Sequence, residues 1–184
     1  MRKLALALAV TGVFALSVPA GPAAASYESY EARATAMSAA QQARSDMEAT
    51  FGVSGLKPGK YLWREGAATS GGDLRVVVGL GDQLAYLYDG ADLIAVSTIS
   101  SGKEGTPSPT GIFSVLEKRP MYRSRKYDNA PMPFMQRIDK YGIALHAGHL
   151  PGRPASHGCV RLPAKFAAKL FEVTTVGTPV LIGA

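Results

Sequence analysis

LRVVVGLGDQLAYLYDGADLIAVSTISSG, residues 74–102, decides the fold class. Its first seven residues form a continuous β-branched run, rich in valine and with Arg75 its one charged member, the pattern of a strand with little contact with water. Gly81-Asp82 then turns the chain. Residues 83–90 and 91–102 are two further strand-forming runs that meet at Asp89-Gly90, a dipeptide suited to a hairpin tip. Further strands are expected within KPGKYLWRE (57–65), GIFSVLEK (111–118), FMQRI (134–138), YGIALHA (141–147) and TPVLI (178–182). Gly71-Gly72 marks a loop. Residues 119–133, RPMYRSRKYDNAPMP, carry four basic side chains and three prolines, and read as a long irregular loop of the kind that often serves as a lid.

Helices are expected at the two ends. Residues 27–52 lack proline and internal glycine until Gly52. Neither Tyr30, Ala34, Met37, Gln41 and Arg44 nor Met37, Ala40, Arg44 and Met47 make a strong apolar face. The segment reads as a moderately amphipathic helix ending near Gly52, a surface or packing appendage. Pro163 suits the first position of a second helix, 163–174, with Phe166, Leu170 and Val173 on its apolar face. The chain is thus a mostly β domain with a helix near each end, without repeats or a second domain.

The first 25 residues read as a secretory signal peptide. Arg2 and Lys3 precede an apolar run from Leu4 to Val18, and Ala23-Ala24-Ala25 supplies small residues for cleavage after Ala25. The alternative is an uncleaved anchor, but the run is short for a span of about 20 residues. No other stretch is long and apolar enough to cross a membrane, so the processed chain is expected to lack a span. Residues 26–56 then form a helical segment and 57–184 the main domain. Loss of Arg2 and Lys3 takes the formal charge from +6 to +4. The densest basic cluster, MYRSRKY (121–127), is short for a nucleic-acid surface. A mild positive field suits an anionic polymer outside the cell.

The chain has one cysteine and three histidines, and all four lie in HAGHLPGRPASHGCVRLP, 146–163. Outside the cytoplasm thiols usually pair; Cys159 has no partner in its own chain, which leaves an intermolecular bridge, a buried bystander or a reactive thiol. His146 ends an expected strand. The glycines and prolines between it and Cys159 must loop, which returns the two ends to each other at modest entropic cost. His157 and Cys159 flank Gly158, and would face the same way if that step were extended. An imidazole can take a thiol's proton and return it to a leaving amine. Backbone N–H groups at Gly158 and Cys159 can hold an oxyanion. Zinc is the competing reading, with His146, His149, His157 and Cys159 as ligands, although His157-Gly158-Cys159 is a tight spacing for two of them.

SHGCVRL, 156–162, resembles the signature of the L,D-transpeptidase catalytic-domain (YkuD-type) family: a histidine, a variable loop, then Ser-His-Gly-Cys, an apolar residue and Asn or Arg. Residues 74–115, including Thr106-Pro107-Ser108-Pro109-Thr110-Gly111, are similar to the family's opening strands and Thr-Pro-x-Gly turn, so the resemblance covers about residues 70–183. It implies a β-sandwich or barrel-like catalytic domain over 57–184. It also implies cleavage of the bond between an L-centre and D-alanine in peptidoglycan stem peptides, through a thioester, followed by transfer to an amine. By this resemblance Cys159 is the nucleophile and His146 the general base and acid. Ser156 and His157 support the site, and the Gly158 and Cys159 N–H groups form the oxyanion hole. Arg161 anchors a carboxylate or braces the loop, and Gly148 and Tyr141 join it as candidate substrate contacts. No metal or organic cofactor is implied. Stem peptides, a wall-attached protein acceptor and a carbapenem inhibitor are the implied partners, in the periplasm or cell-wall space. Hydrolysis by water and a non-catalytic wall-binding module remain open. The loop from His146 to Ser156 is shorter than in many members, and Ala147 stands where glycine is frequent. This leaves His149 as a competitor for the base; His146 is preferred because it follows the strand YGIAL, a rigid mount, and His149 reads as a rim residue.

Overall fold

The computed structural model describes residues 28–64, 66 and 73–184. The expected signal peptide with its cleavage point, and the Gly71-Gly72 loop, lie outside the described residues. Two sheets and two helices are present. Helix α1 spans Tyr30–Phe51, followed by β1 (Tyr61–Trp63), β2 (Leu74–Gly79), β3 (Leu84–Asp89), β4 (Asp92–Thr98), β5 (Gly111–Ser114), β6 (Glu117–Arg123), β7 (Pro131–Arg137), β8 (Ala144–Ala147) and β9 (Val160–Leu162). Helix α2 (Ala164–Val173) and β10 (Pro179–Gly183) complete the chain. One sheet has the order β1-β4-β3-β2-β10-β5 and the other β6-β7-β8-β9. The β10–β2 and β8–β9 pairs are parallel and the rest antiparallel.

The valine run is explained by burial on both faces of the larger sheet. Val76 and Val78 join a core with Leu145, Ala147, Val160 and Leu162 of the smaller sheet and Phe166 and Leu170 of α2. Val77, on the opposite face, packs with Tyr86, Val96 and α1. Alternation therefore has no solvent side to show. Asp89-Gly90 does sit at the tip of the β3–β4 hairpin.

Helix α1 is more than a loosely attached element. Ser29 caps its start, accepting from the Ala32 N–H, and Gly52 ends it with φ 67°. Its buried face is Ala32, Ala36, Ala40, Ala43 and Met47, a helical spacing of small residues. Gly183 of β10 makes the reason visible, since a Cβ there would lie 2.6 Å from the Ala36 carbonyl oxygen. The helix backbone approaches the sheet closely, and large side chains are excluded. Burial of Met47 contributes about 1.5–3 kcal/mol. That exceeds the roughly 1 kcal/mol of a hydrogen bond such as the one from Tyr88 to Asp46, so the docking is chiefly apolar.

Three expectations need correction. The run GIFSVLEK is two strands, because the chain changes sheets at Val115-Leu116: the Val115 N–H donates to Thr178 beside β10, and the Leu116 N–H to Arg137 of β7. Residues 119–133 are not an irregular loop. They form most of an ordered β6–β7 hairpin, whose turn uses positive φ at Asp128 (45°) and Asn129 (52°). Its prolines are tolerated because β6 is an edge strand, and because β7 pairs with β8 only at Gln136 and Arg137, so Pro131 and Pro133 lie in a two-stranded arm beyond the sheet. Finally, Pro163 is the residue before α2 rather than its first member, and the short strand β9, for which no strand was expected, follows Cys159 directly.

Candidate active site

A groove of about 1070 Å³ lies beside the β6–β7 hairpin and is lined by His146, Gly148, His149, Ser156, His157, Cys159, Arg161 and Tyr141 among others. The alternation of β8 explains which residues reach it. Leu145 and Ala147 enter the main core, which leaves Ala144 and His146 on the other face. In the parallel ladder His146 sits opposite Arg161, one step after the Leu145–Val160 pair. Cys159, immediately before β9, packs with Met132, Met135 and Ala144 on the groove floor.

His146 is 7% exposed, and its Nδ1 lies 2.8 Å from the carbonyl oxygen of Ala147. A carbonyl only accepts, so Nδ1 carries the proton and Nε2 keeps its lone pair. Burial holds the imidazole below its ordinary range; the Ala147 carbonyl opposes this, and the Arg161 cation adds to it. Burial pushes the Cys159 thiol up. A backbone hydrogen bond at Ala144 opposes that shift, the Asp139 carboxylate reinforces it, and Arg161 also opposes it. The thiol points toward the Gly142 carbonyl, 3.8 Å away. Both groups are therefore neutral at neutral pH, a buried base with an open lone pair and a protonated thiol lining the same groove.

The turn carrying Cys159 is held from two directions. Ser156 Oγ accepts from the Gly158 N–H at 3.1 Å and donates to the Cys159 carbonyl. The Gly158 carbonyl accepts from Ser108 Oγ at 2.7 Å, and that hydroxyl in turn accepts from the Gly102 N–H. Gly158 has φ 112°, a conformation that side chains rarely adopt, so the backbone here requires glycine; a Cβ would also press on the Ile143 Cδ1 methyl at 2.7 Å, which that side chain could yield. The extended 157–159 step, on which a shared direction for His157 and Cys159 depended, is absent. His157 is exposed and stacks on Tyr127 of the hairpin turn, with ring centroids 4.4 Å apart. Gly148 is small because the Arg161 side chain crosses it: a Cβ would meet Arg161 Cγ at 2.9 Å. Tyr141 stands 77% exposed at the rim, and His149 is exposed. Among the described residues no three His, Cys, Asp or Glu side chains gather in a metal-binding arrangement, so the four candidate zinc ligands do not converge.

Two contributors were not singled out in the sequence. Ser108 is buried and braces the turn, and its only signal was membership of the Thr-Pro-x-Gly segment. Tyr127 gave no signal beyond lying in the basic stretch. Ser108→Ala would remove one partner from each of two backbone groups. It is expected to cost about 1–3 kcal/mol of stability, measurable by denaturant unfolding, and to lower kcat more than it raises KM.

The comparisons bear on this arrangement. A family profile described as the L,D-transpeptidase catalytic domain, YkuD, matches residues 73–182. The chain belongs to this family. The YkuD domain contains both sheets apart from β1, and also α2, while α1 precedes it. Among solved structures it is similar to an L,D-transpeptidase from Mycobacterium smegmatis at 21% identity and TM-score 0.57, covering 61% of this chain and 59% of that one. A second is the L,D-transpeptidase of Xylanimonas cellulosilytica DSM 15894, at 26% identity and TM-score 0.55, covering 61% of each chain. A third is the transpeptidase LdtMt1 in complex with imipenem, at 21% identity and TM-score 0.56, covering 59% of this chain and 58% of that one. The YkuD chain thus spans about three fifths of the length of these structures. Among curated proteins nothing matches. No described helix is long and apolar enough to cross a membrane.

Proposed function

We propose that the protein is an exported L,D-transpeptidase of peptidoglycan, with Cys159 as nucleophile and His146 as general base and acid. The observation that carries this reading is the His146 imidazole with Nδ1 on the Ala147 carbonyl, an arrangement that leaves Nε2 to act as base, in the groove that holds the chain's single thiol. In the first half-reaction Nε2 takes the thiol proton as sulfur bonds to the carbonyl carbon of the L-centre. The bond to D-alanine breaks, and the proton passes to the leaving amine. In the second, an acceptor amine gives its proton to His146, attacks the thioester and restores the thiol. The Gly158 N–H is already given to Ser156 Oγ, so we assign it to bracing the turn and leave the Cys159 N–H as the oxyanion donor. His157 acts by holding the hairpin, and Arg161 by tuning the two reacting groups. Ser156 positions the thiol.

The N-terminal segment, the peptidoglycan substrate and the membership of the family support a location in the periplasm or cell-wall space. A stem peptide is the proposed acceptor, with a wall-attached protein as the finer alternative. Imipenem, bound in a similar solved structure, is proposed to acylate Cys159. The test is incubation of the mature chain with a tetrapeptide-stem muropeptide, with products and intact protein read by mass spectrometry. Loss of D-alanine with a stem adduct on Cys159 supports the acyl-enzyme. A dimeric product supports transfer over hydrolysis, and an untouched muropeptide with bare Cys159 overturns the proposal.

A pH profile checks the roles. The base is lost only when His146 is protonated, and burial has lowered its pKa. The acid limb of kcat/KM should therefore fall below the ordinary imidazole value of about 6.5. The thiol is raised, so the alkaline limb should lie above the ordinary thiol value of about 8.5. A plateau between them fits general-base attack. An acid limb set by thiol ionisation near 8.5 would contradict it.

A further inference from the structure

The turn between β2 and β3 ends at Gln83, whose φ is 55°. That is left-handed backbone, which glycine or asparagine adopts readily and a longer side chain adopts under strain. The carboxamide at this position is engaged on three sides. Nε2 donates to the Leu80 carbonyl at 2.7 Å and to Ser101 Oγ at 2.8 Å, and Oε1 accepts from the Ser101 N–H at 3.1 Å. The Gln83 carbonyl adds a tie in the same direction, accepting from the Ile99 N–H at 2.8 Å. A strained backbone under a side chain so fully engaged points to what that side chain holds.

Ser101 is 3% exposed and lies just beyond β4. Residues 100–103 grip the chain on both sides of Cys159. Before the cysteine, the Ser101 carbonyl accepts from the Ala155 N–H at 2.9 Å and the Ser156 N–H at 3.0 Å, and the Ser156 carbonyl accepts from the Lys103 N–H at 3.0 Å. After it, Ser100 and Arg161 exchange both backbone bonds, each 3.0 Å. Ser156 Oγ in turn accepts from the Gly158 N–H and donates to the Cys159 carbonyl. Hydrogen bonds in series, from Gln83 to Ser101, Ser101 to Ser156 and Ser156 to Cys159, therefore join the β2–β3 turn to the residue that bears the thiol.

We propose that Gln83 is a positioning residue for Cys159, holding the turn that carries the thiol through Ser101 and Ser156. Its effect on turnover rests on the transpeptidase reading above; its hold on the turn does not. Without the carboxamide, Ser101 is free to shift, and it takes with it the two amides bound to its carbonyl. A small misplacement of an attacking group slows the chemical step while leaving binding of the stem in place.

Gln83→Gly removes the carboxamide and relieves the left-handed backbone, so the fold should survive. On a tetrapeptide stem kcat is expected to fall about tenfold, with KM within about twofold of its former value. Amide exchange of the labelled chain, followed by NMR, should quicken about tenfold at Ala155 and Ser156 and stay unchanged along β10. Ser156→Ala should lower kcat by itself, and adding Gln83→Gly to it should change little more, because the path is already cut. Gln83→Glu keeps the length and the acceptor for the Ser101 N–H but gives up both donated bonds, and it supplies the same readings in milder form if the glycine chain does not fold. Unchanged kcat, a loss confined to KM, losses that multiply with Ser156→Ala, or exchange that quickens everywhere alike overturns the proposal. If the unsubstituted chain forms no thioester, selective exchange at Ala155 and Ser156 leaves the hold of Gln83 on the turn standing and defeats the transpeptidase reading. Thioester formation, with the Gln83→Gly chain indistinguishable from the unsubstituted one, does the opposite.

Discussion

Cys159→Ser is expected to lose at least about a thousandfold in kcat/KM on a tetrapeptide stem, with the fold intact. The substitution keeps a small hydroxyl-bearing side chain beside Met132, Met135 and Ala144, so little packing is lost. What changes is the proton. The Cys159 thiol already sits above its ordinary range because burial disfavours the anion, and an alcohol starts several pKa units higher still. His146, held neutral and weakly basic by its own burial, can assist a thiol across that gap and cannot assist a hydroxyl to a comparable degree. Intact mass after exposure to substrate gives the decisive reading. The unsubstituted chain should carry an adduct and Cys159→Ser should not. If the serine form turned over at a tenth of the normal rate or better, sulfur would not be the attacking atom.

The proposed reacting pair was noticeable in the sequence because composition exposed it: one thiol and three imidazoles in 18 residues need no structure to be noticed. The strands were readable where burial imposes a strong pattern, as in the valine run. Legibility failed where an element's character depends on a distant partner. The alanine face of α1 has no large apolar side chain until Met47, and a search for an apolar stripe passes over it. Its meaning comes from Gly183, which lies at the far end of the chain and lets the helix backbone touch β10. The β6–β7 hairpin was hidden by Pro120, Pro131 and Pro133, because proline argues against a strand unless the strand is known to be an edge. Only the sheet order shows that Pro120 lies on an edge strand and that Pro131 and Pro133 lie where β7 has no β8 partner. Asp128-Asn129 was the local clue, two residue types that tolerate the left-handed turn they adopt. In the site, the Gly158 N–H looked available for an oxyanion until Ser156 Oγ was found to hold it. Ser108 and Tyr127 touch the turn that carries Cys159 from 50 and 30 residues away in sequence, as Ser108 bonds Gly158 and Tyr127 stacks on His157, and no local pattern announces such a contact.

His146→Ala is expected to be nearly as damaging as loss of the thiol, by about a hundredfold to ten-thousandfold in kcat, while His149→Ala should stay within about threefold. The two histidines lie three residues apart, but their settings differ in every respect that matters to a base. His146 is on β8, 7% exposed, and fixed in one tautomer by the Ala147 carbonyl. His149 lies beyond the strand and is exposed. A general base must be held with its lone pair aimed at the proton it takes, and only a buried, oriented ring meets that condition without paying for it on each turnover. Substituting His146 removes the acceptor but leaves the groove and thiol in place. Binding of stem peptide to His146→Ala should therefore survive, so the loss appears in kcat rather than KM. The pH profile supplies a second readout. With His146 gone, the residual rate should no longer fall through the imidazole range on the acid side, and should instead climb with thiol ionisation above the ordinary value of about 8.5, since hydroxide must do what the imidazole did. If His149→Ala were the crippling change and His146→Ala the mild one, the base would lie on the loop, and the buried imidazole on β8 would be a structural group. If both were mild, proton transfer would not depend on histidine at all, and the thiol would have to ionise through the Ala144 hydrogen bond and the Arg161 cation alone, the two influences that already lower its pKa.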